Sequence, residues 1–244
     1  MTGLHVSLAA NVVLLAIVVA FCVKYDVAAK IISRITLVGG GGVIDPVLTD
    51  RWNFACDVFG NAPACEGVTV MLGDSITENN PFSEYMCYRH RVMNRGISSD
   101  NTRGVLQRIG EASRWNASKV FILLGINDIG NGIPLSESMS NYRAIIGRIR
   151  ELSPGAGVYV QAVFPVDHKK LADNARCRRR TAGAIRAFNE ELRTLAGETG
   201  CEFVDTWGIF ADESGEMDGA CTWDGLHLNG AGMARWCGFL EGYM

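Results

Sequence analysis

The 244-residue sequence contains no C-x-x-C pair and no cluster of cysteines and histidines at the spacing of a zinc site. This absence argues against a bound metal, and the sequence predicts no cofactor. The formal net charge is only −3, so the charge balance does not indicate a nucleic-acid partner. Internal repeats are also lacking, and the length and composition are those of a folded chain with one domain of ordinary size.

The eight cysteines do not by themselves indicate a disulfide framework. Cys22 lies in an apolar N-terminal segment, which leaves an odd number elsewhere in the chain. Several of the others fall on predicted strands or amphipathic helices, where free cysteine behaves as a small hydrophobic residue. A bridge between Cys56 and Cys65 would suit an oxidising compartment, and the sequence leaves it open.

One long apolar run, Leu8–Val23, stands apart from the rest of the sequence. It has no polar face, which argues against a buried core helix, and its length approaches that of a membrane span. No Lys or Arg precedes it and no small-x-small site follows it, so an uncleaved anchor is favoured over a signal peptide. The sequence therefore predicts a membrane anchor over residues 1–30, a glycine-rich linker over 31–48 and a globular domain over 49–244.

From residue 49 onward, strand-like and helix-like segments alternate, which predicts a parallel sheet with helices on both faces and right-handed crossovers. The predicted strands are Val68–Leu72, Arg91–Asn94, Lys119–Leu124, Val158–Val163 and Glu202–Asp205. The predicted helices are Thr102–Ser113, Leu135–Leu152, Arg180–Ala196 and Gly230–Gly242. The second helix carries four side chains at helical spacing that are predicted to face the core: Tyr142, Ile145, Ile146 and Ile149.

The first predicted strand ends abruptly in Gly73-Asp74-Ser75, and polar residues then open a helix. A serine in this position lies at the carboxyl edge of the sheet, where ligands bind in open α/β folds. A helix cap is the alternative role for the same residue. Three further segments fall at strand ends or in loops and are predicted to meet this serine: Asn94-Arg95-Gly96, Gly125-Ile126-Asn127-Asp128 and Asp224-Gly225-Leu226-His227.

His227 is the histidine best suited to serve as a base for a serine nucleophile. The chain has four histidines. Of the other three, His5 precedes the apolar run, His90 precedes a predicted strand and His168 lies in a basic loop. His227 alone has a carboxylate, that of Asp224, at close range in the sequence. This carboxylate can accept a hydrogen bond from the ring Nδ1–H and so fix the tautomer. Ser75, His227 and Asp224 are therefore the candidate nucleophile, base and orienting acid.

A serine nucleophile also requires donors aimed at the charge that develops on the attacked carbonyl oxygen. The backbone N–H groups of Ser75 and Gly96 and the side-chain amide of Asn127 would supply three such donors. Glycine at position 96 would let the backbone approach a substrate closely, and a simple turn is its alternative role. Asp128 is predicted to cap a helix or a turn rather than to take part in the chemistry.

Taken in order along the chain, the motifs GDSIT, NRGIS, GIND and DGLHLN resemble those of the SGNH (GDSL-type) hydrolases. Their spacing is most similar to the branch of platelet-activating-factor acetylhydrolase-like and sialate O-acetylesterase-like enzymes. The resemblance implies an α/β fold, a three-layer α/β/α sandwich with a central, mainly parallel, five-stranded sheet of flavodoxin-like type. It implies a catalytic triad of Ser75, Asp224 and His227, and an oxyanion hole formed by Ser75, Gly96 and Asn127. The serine does not lie in a G-x-S-x-G motif, so this is not the nucleophile elbow of the α/β-hydrolases.

The expected reaction is hydrolysis of short-chain esters, in the first place acetyl groups on carbohydrate, through an acyl-enzyme. The expected substrate is thus a small-molecule or glycan ester. A lipase, lysophospholipase or thioesterase of the same fold is the main alternative, and a non-catalytic, membrane-tethered glycan-binding module is another. The basic run within His168–Arg180 is interpreted as a solvated helix start, with recruitment of an anionic glycan or headgroup as its alternative.

The side of the membrane on which this domain lies is left open by the sequence. Lys24, Lys30 and Arg34 follow the apolar run, and the positive-inside rule would then hold the domain in the cytoplasm. An enzyme anchored by its N-terminus more usually faces outward. Cleavage of the run as a signal peptide would instead make the protein secreted or periplasmic.

Overall fold

The computed structural model describes residues 49–110 and 115–244. The predicted anchor and linker, residues 1–48, lie outside the described residues. Within the two described ranges, no helix is both long enough and apolar enough to span a bilayer.

A five-stranded parallel sheet forms the centre of the described domain. Its strands are β1 (Cys65–Gly73), β2 (Val92–Gly96), β3 (Trp115–Leu123), β4 (Gly157–Gln161) and β5 (Glu202–Val204). They lie side by side in the order β2-β1-β3-β4-β5, and every neighbouring pair runs parallel. The predicted parallel sheet of five strands is confirmed, with strand bounds that differ from the predicted ones by a few residues.

The register of the sheet brings the ends of its central strands to one edge. Gly73, the last residue of β1, pairs with Gly96 of β2 on one side and with Leu123 of β3 on the other. The chain leaves β1 towards β2 and later returns to the other side of β1 with β3. Loops that leave the strand ends at such a reversal diverge and open a crevice, which is where doubly wound sheets bind ligands.

Helices connect the strands and cover the sheet. The α-helices of the described residues are α1 (Asp50–Asn61), α2 (Ser75–Glu78), α3 (Phe82–Tyr85), α4 (Thr102–Arg108), α5 (Ile126–Asn131), α6 (Leu135–Leu152), α7 (Ala175–Arg179), α8 (Ala182–Glu198) and α9 (Gly230–Leu240). The bounds predicted for α6 are confirmed at both ends. The prediction omitted α1, α5 and α7, of which α5 and α7 are very short and α1 shows little apolar periodicity.

The helices are distributed as right-handed crossovers require. The step from β1 to β2 runs in the opposite direction to the later steps, so its helices fall on the opposite face. In agreement, α4, α6 and α8 pack side by side, while α3 packs against α9 through an edge-to-face contact of Phe82 with Trp236. The arrangement is consistent with a three-layer α/β/α fold.

The core lies where the sequence pattern places it. The side chains of Tyr142, Ile145, Ile146 and Ile149 are all buried, which confirms that this face of α6 packs inward. The Tyr142 hydroxyl also donates to the carbonyl oxygen of Leu124 at 2.8 Å, just beyond the end of β3. The loop that follows β3 is thereby attached to the core rather than left to solvent.

The cysteines of the described residues form no disulfide with one another. Cys56 and Cys65, whose pairing the sequence left open, are not bridged. Cys221 and Cys237 belong to the main hydrophobic core, which confirms the prediction that buried cysteines act here as small hydrophobic residues.

Candidate active site

Three side chains form a hydrogen-bonded row at the carboxyl edge of the sheet. Ser75 Oγ lies 2.9 Å from His227 Nε2, and His227 Nδ1 lies 2.7 Å from Asp224 Oδ2. Both distances are within hydrogen-bonding range. The structure thus brings together the three residues that the sequence nominated, across 152 positions of chain.

The turn that carries Asp224 and His227 is held by its own backbone. Asp224 Oδ1 accepts hydrogen bonds from the N–H groups of Leu226, at 2.9 Å, and of His227, at 2.7 Å. Gly225 has a φ of +87°, and a Cβ there would lie 2.4 Å from the carbonyl oxygen of Asp167. Glycine is therefore required at position 225. The Asp224 carboxylate is held by both oxygens, since Oδ1 accepts from the backbone and Oδ2 contacts the imidazole.

The contacts of Asp224 also set its ionisation. Partial burial alone would raise the pKa of this carboxyl group, but hydrogen bonds from the His227 ring and from two backbone N–H groups outweigh it. The net result is a pKa below the ordinary value for aspartate. The group is consequently a carboxylate at neutral pH, able to stabilise a positive charge on the neighbouring imidazole.

Ser75 is held in place by the tight turn between β1 and α2. Asp74 Oδ1 caps this helix by accepting from the N–H of Ile76 at 2.9 Å. A Cβ on Gly73 would lie 2.1 Å from Thr77 Oγ1, so the close packing of the turn requires glycine there. Since Ser75 is the first residue of α2, its own N–H has no partner within the helix.

Asn127 lies on α5 beside the turn that carries the serine. Its side-chain Nδ2 donates to the carbonyl oxygen of Asp100 at 2.9 Å and lies 3.4 Å from Asp74 Oδ2. The residue is only 4% exposed. The structure therefore brings Asn127 to the same edge as Ser75, as predicted from its place after β3.

Gly96 corrects one prediction, because its N–H is already engaged. It donates to Asn94 Oδ1 at 2.9 Å, so it is not available to a substrate oxygen. A Cβ at this position would lie 2.2 Å from the backbone nitrogen of Glu78. Glycine is thus required here for the packing of β2 against α2, and the role of oxyanion donor does not fit this group.

Two arginines near Asn127 were not identified from the sequence as site residues. Arg176 and Arg180 donate to Asn127 Oδ1 at 3.1 and 2.9 Å. The sequence feature that could have identified them is their spacing of four residues, because it places both side chains on one face of a helical turn. The interpretation of the basic run as a solvated helix start fits Arg178, which is exposed and paired with Asp173. It is wrong for Arg180, which is only 4% exposed.

Trp223 is a further residue of the site that the sequence analysis did not single out. Its ring lies nearly parallel to that of His227, with centroids 6.0 Å apart and an interplanar angle of 18°. The side chain is 67% exposed. A large aromatic face is thereby presented to solvent directly beside the imidazole.

Asp128 has the structural role that the sequence analysis favoured. Its Oδ1 accepts from the hydroxyl groups of Thr102, at 2.6 Å, and of Ser138, at 3.1 Å. Burial raises the pKa of this carboxyl to about 6. The side chain thereby joins α5 to α4 and α6.

Asp74 makes the stability of this edge depend on pH. Burial raises its pKa from 3.8 to about 7. The folded state therefore binds this proton more tightly than the unfolded chain does, and the associated stability is lost as pH rises through about 7. We expect the contribution of Asp74 to the free energy of unfolding to fall by about 2 kcal/mol between pH 5.5 and 8.5.

Thermal or chemical unfolding of Asp74→Asn across this pH range measures that contribution. The asparagine oxygen can still cap Ile76, whereas the titration is removed, so the variant should lose less stability than the wild type as pH rises. Asp57→Asn, in an exposed position on α1, is the control and should follow the wild-type curve. Parallel curves for the wild type and Asp74→Asn would contradict the expectation.

Comparisons with known proteins identify the family and the fold of the chain. A family model described as GDSL-like lipase/acylhydrolase matches residues 71–235. Platelet-activating factor acetylhydrolase IB subunit alpha2 of Homo sapiens is 26% identical over 200 residues, which cover 77% of this chain and 81% of the relative. A GDSL-like lipase from Bacteroides thetaiotaomicron superposes with a TM-score of 0.67 at 16% identity, covering 79% of this chain and 96% of that one. An acetylxylan esterase from Geobacillus stearothermophilus, a catalytic mutant, gives 0.58 at 20% identity, covering 73% and 95%.

The two solved structures support the fold alone. The family match carries more, because it runs from within β1 to within α9 and so includes the residues of the site described above. The resemblance drawn from the four sequence motifs is confirmed: the chain belongs to the GDSL-like lipase/acylhydrolase family.

Proposed function

We propose that the protein is a serine esterase that removes short acyl groups, in the first place acetyl, from carbohydrate through an acyl-enzyme. The observation that carries this proposal is the row from Ser75 Oγ through the His227 ring to Asp224, with contacts of 2.9 and 2.7 Å. A hydroxyl, an imidazole and a carboxylate in this order form the constellation that activates serine nucleophiles on unrelated folds.

The mechanism follows from the positions of the atoms. His227 Nε2 takes the proton of Ser75 Oγ as the oxygen attacks the ester carbonyl, and the carboxylate of Asp224 stabilises the resulting imidazolium. The imidazolium then gives its proton to the leaving alcohol, and the acyl group remains on the serine. Water, activated by the same imidazole, attacks this ester in the second half of the reaction and releases the acid.

The tetrahedral oxyanion requires donors on the other side of the serine. We assign two of them to the backbone N–H of Ser75 and to Asn127 Nδ2. In place of Gly96 we assign the third to the N–H of Ser99, in the loop that follows β2. This residue has a φ of +67°, and its N–H donates to no partner within the described residues. Removal of Asn127's amide is expected to cost about 10²–10³ in kcat.

Trp223 supports carbohydrate as the substrate class. An exposed aromatic face beside a catalytic base can hold the apolar face of a sugar ring while the ring's acetyl ester reaches the serine. The acetylxylan esterase among the structural neighbours is named for an ester of this kind. Both observations favour an acetylated saccharide over a simple alkyl ester.

We therefore expect Trp223→Ala to raise the KM for an acetylated oligosaccharide about two- to ten-fold, since one stacking contact is worth about 0.5–1.5 kcal/mol. The KM for p-nitrophenyl acetate, which lacks a sugar ring, should change by less than two-fold. Tyr88→Ala, which removes an aromatic ring that is 75% exposed elsewhere, is the matched control. Equal effects on both substrates would remove the support for a saccharide.

The acyl preference is tested by a series of p-nitrophenyl esters from acetyl to palmitoyl, together with acetylated xylo-oligosaccharides. An acetylesterase should show kcat/KM falling steeply beyond about four acyl carbons and should release acetate from the saccharide. Rates that rise with chain length would contradict this proposal. Labelling by a fluorophosphonate separates an enzyme of either kind from a non-catalytic glycan-binding module.

A lipase or lysophospholipase is the second candidate, and one observation favours it. A groove of about 290 Å³ lies between α1 and the ends of α2 and β2, where Glu78, Asn94 and Gly96 line it. Its lining includes Phe54, Ala55, Val58 and Phe59 of α1. The apolar wall that α1 gives this groove could receive a longer acyl chain, and a preference for long esters that is lost in Phe54→Ser would support this candidate.

The membrane anchor predicted for residues 1–30 remains part of the proposal. It would hold the esterase domain next to a bilayer. The positive-inside rule favours the cytoplasmic side, whereas enzymes with an N-terminal anchor more usually face outward. Fractionation of the full chain with and without these residues tests it.

A further inference from the structure

We propose that Arg176 and Arg180 are positioning residues of the oxyanion hole, which orient and polarise the side-chain amide of Asn127. This inference rests on the proposed function, because it concerns a donor that acts on the same serine esterase reaction. Neither arginine touches the nucleophile, the base or the orienting acid in the contacts described above.

Both guanidinium groups converge on one oxygen atom. Arg176 Nη2 and Arg180 Nη2 donate to Asn127 Oδ1 at 3.1 and 2.9 Å. Arg180 Nε also donates to the carbonyl oxygen of Ile126 at 3.1 Å, which fixes its position against the start of α5. Two cationic donors therefore hold the carbonyl end of the amide on the side away from the turn that carries Ser75.

These contacts determine which way the amide points. A guanidinium can only donate hydrogen bonds, so the Asn127 atom that it contacts must be the oxygen. The opposite end of the amide faces the carbonyl oxygen of Asp100 at 2.9 Å, which can only accept, so that end must be the NH₂ group. One N–H of Nδ2 is held by this carbonyl. The other donates to Asp74 Oδ2 across a long contact of 3.4 Å, in the turn that carries Ser75, and a substrate oxyanion would take the place of this weak partner.

The charges of the two arginines strengthen the donor that they orient. No carboxylate within the described residues forms an ion pair with either group. Burial and the nearby charge of Arg180 lower the pKa of Arg176 to about 10, so the group stays cationic at neutral pH. A cation on the carbonyl oxygen withdraws electron density from the amide and makes its N–H a stronger donor. This gain is largest when a full negative charge develops on the substrate, that is, in the transition state.

The fold provides room for this arrangement. A Cβ on Gly130 of α5 would lie 2.9 Å from Arg180 Nε and 3.1 Å from its Nη2. Any larger residue at this position would displace the buried guanidinium. Glycine is poorly suited to a helix interior, so its presence in α5 fits a requirement for space.

The test compares two arginines of the same short helix. We expect Arg176→Met to lower kcat for p-nitrophenyl acetate about ten-fold, with KM and the melting temperature little changed. Arg178→Met removes the same charge from α7 at an exposed position and should leave both kinetic constants within two-fold of the wild type. A rise in KM with unchanged kcat would show that Arg176 contacts the substrate instead, and would overturn the proposal.

A double-variant cycle separates a role through Asn127 from a general structural role. In the Asn127→Ala background the amide is gone, so Arg176→Met should reduce kcat by less than two-fold further. A ten-fold loss in both backgrounds would overturn the inference, since the arginine would then act by another route.

Arg180 is tested without removing its buried charge. Gly130→Ala should displace the guanidinium and lower kcat several-fold, whereas Gly147→Ala should not, because no atom lies within 4 Å of that added Cβ. Equal kcat values for the two alanine variants would count against the role of Arg180. A wild-type protein without esterase activity would refute the proposed function itself, whereas an active wild type with unaffected arginine and Gly130 variants would refute only this inference.

Discussion

Ser75→Ala is expected to abolish ester hydrolysis, with kcat reduced about 10⁶-fold, as when the nucleophile of a serine protease is removed. The hydroxyl oxygen is the atom that forms the acyl-enzyme, and no other described nucleophile shares a hydrogen bond with His227 Nε2. The fold should not suffer, because alanine fits the helix start at this position and the capping bond from Ile76 to Asp74 is retained.

Release of p-nitrophenolate from the acetyl ester measures this effect, and mass spectrometry after fluorophosphonate treatment provides an independent readout. The wild type should gain one adduct on the peptide that contains Ser75, and the variant should gain none. Ser136→Ala, at an exposed position on α6, is the matched control and should retain full activity. Activity of Ser75→Ala within ten-fold of the wild type would disprove the assignment of the nucleophile.

Asp224→Asn should lower kcat about 10⁴-fold by reversing the tautomer of His227, in line with the corresponding change in a serine protease triad. The Oδ1 position accepts from the N–H groups of Leu226 and His227, so the amide oxygen must occupy it. The NH₂ group then faces His227 Nδ1 and donates to it. The ring proton is forced onto Nε2, which can no longer accept the proton of Ser75.

Steady-state kinetics with the acetyl ester, at a pH where the wild type is fully active, measure this loss. Asp205→Asn replaces an exposed carboxylate that pairs with Arg193 on the surface, and it should leave kcat unchanged. Melting temperatures of both variants should match the wild type. If Asp224→Asn retained more than a tenth of wild-type activity, Asp224 would not be the group that fixes the imidazole.

Much of the fold could be predicted because its strongest signals are local. The apolar run of β3 and the four core side chains of α6 specify buried elements without reference to the rest of the chain. Helices such as α1 and α7 could not be predicted in this way. Their amphipathic pattern is short, and caps such as Thr49 and Asn174 define their starts, which only the folded backbone reveals.

In the candidate site, too, residues with a local sequence signal could be predicted, whereas those defined by contacts in the folded chain could not. Ser75, Asn127, Asp224 and His227 could be nominated because strand ends, loops and motif order point to one edge of the sheet. Gly96 could not be judged, because the sequence does not show that Asn94, two residues earlier, takes its N–H.

The burial of Arg180 could not be predicted for a related reason. A run of basic residues usually lies in solvent, and nothing local distinguishes the member that is buried. Its partners, the carbonyl oxygen of Ile126 and Asn127 Oδ1, lie more than fifty residues earlier and come close only in the folded domain.

The separation of 152 positions between Ser75 and the imidazole that contacts it affects the order in which the domain folds and becomes active. The serine turn is synthesised early, whereas the loop with His227 emerges near the end of translation, and closing so long a stretch is slow relative to local helix formation. A nascent or refolding chain can therefore acquire most of its helical circular dichroism while it is still unable to react with an ester. Recovery of turnover would report the final long-range closure, and the lag between the two signals would time it.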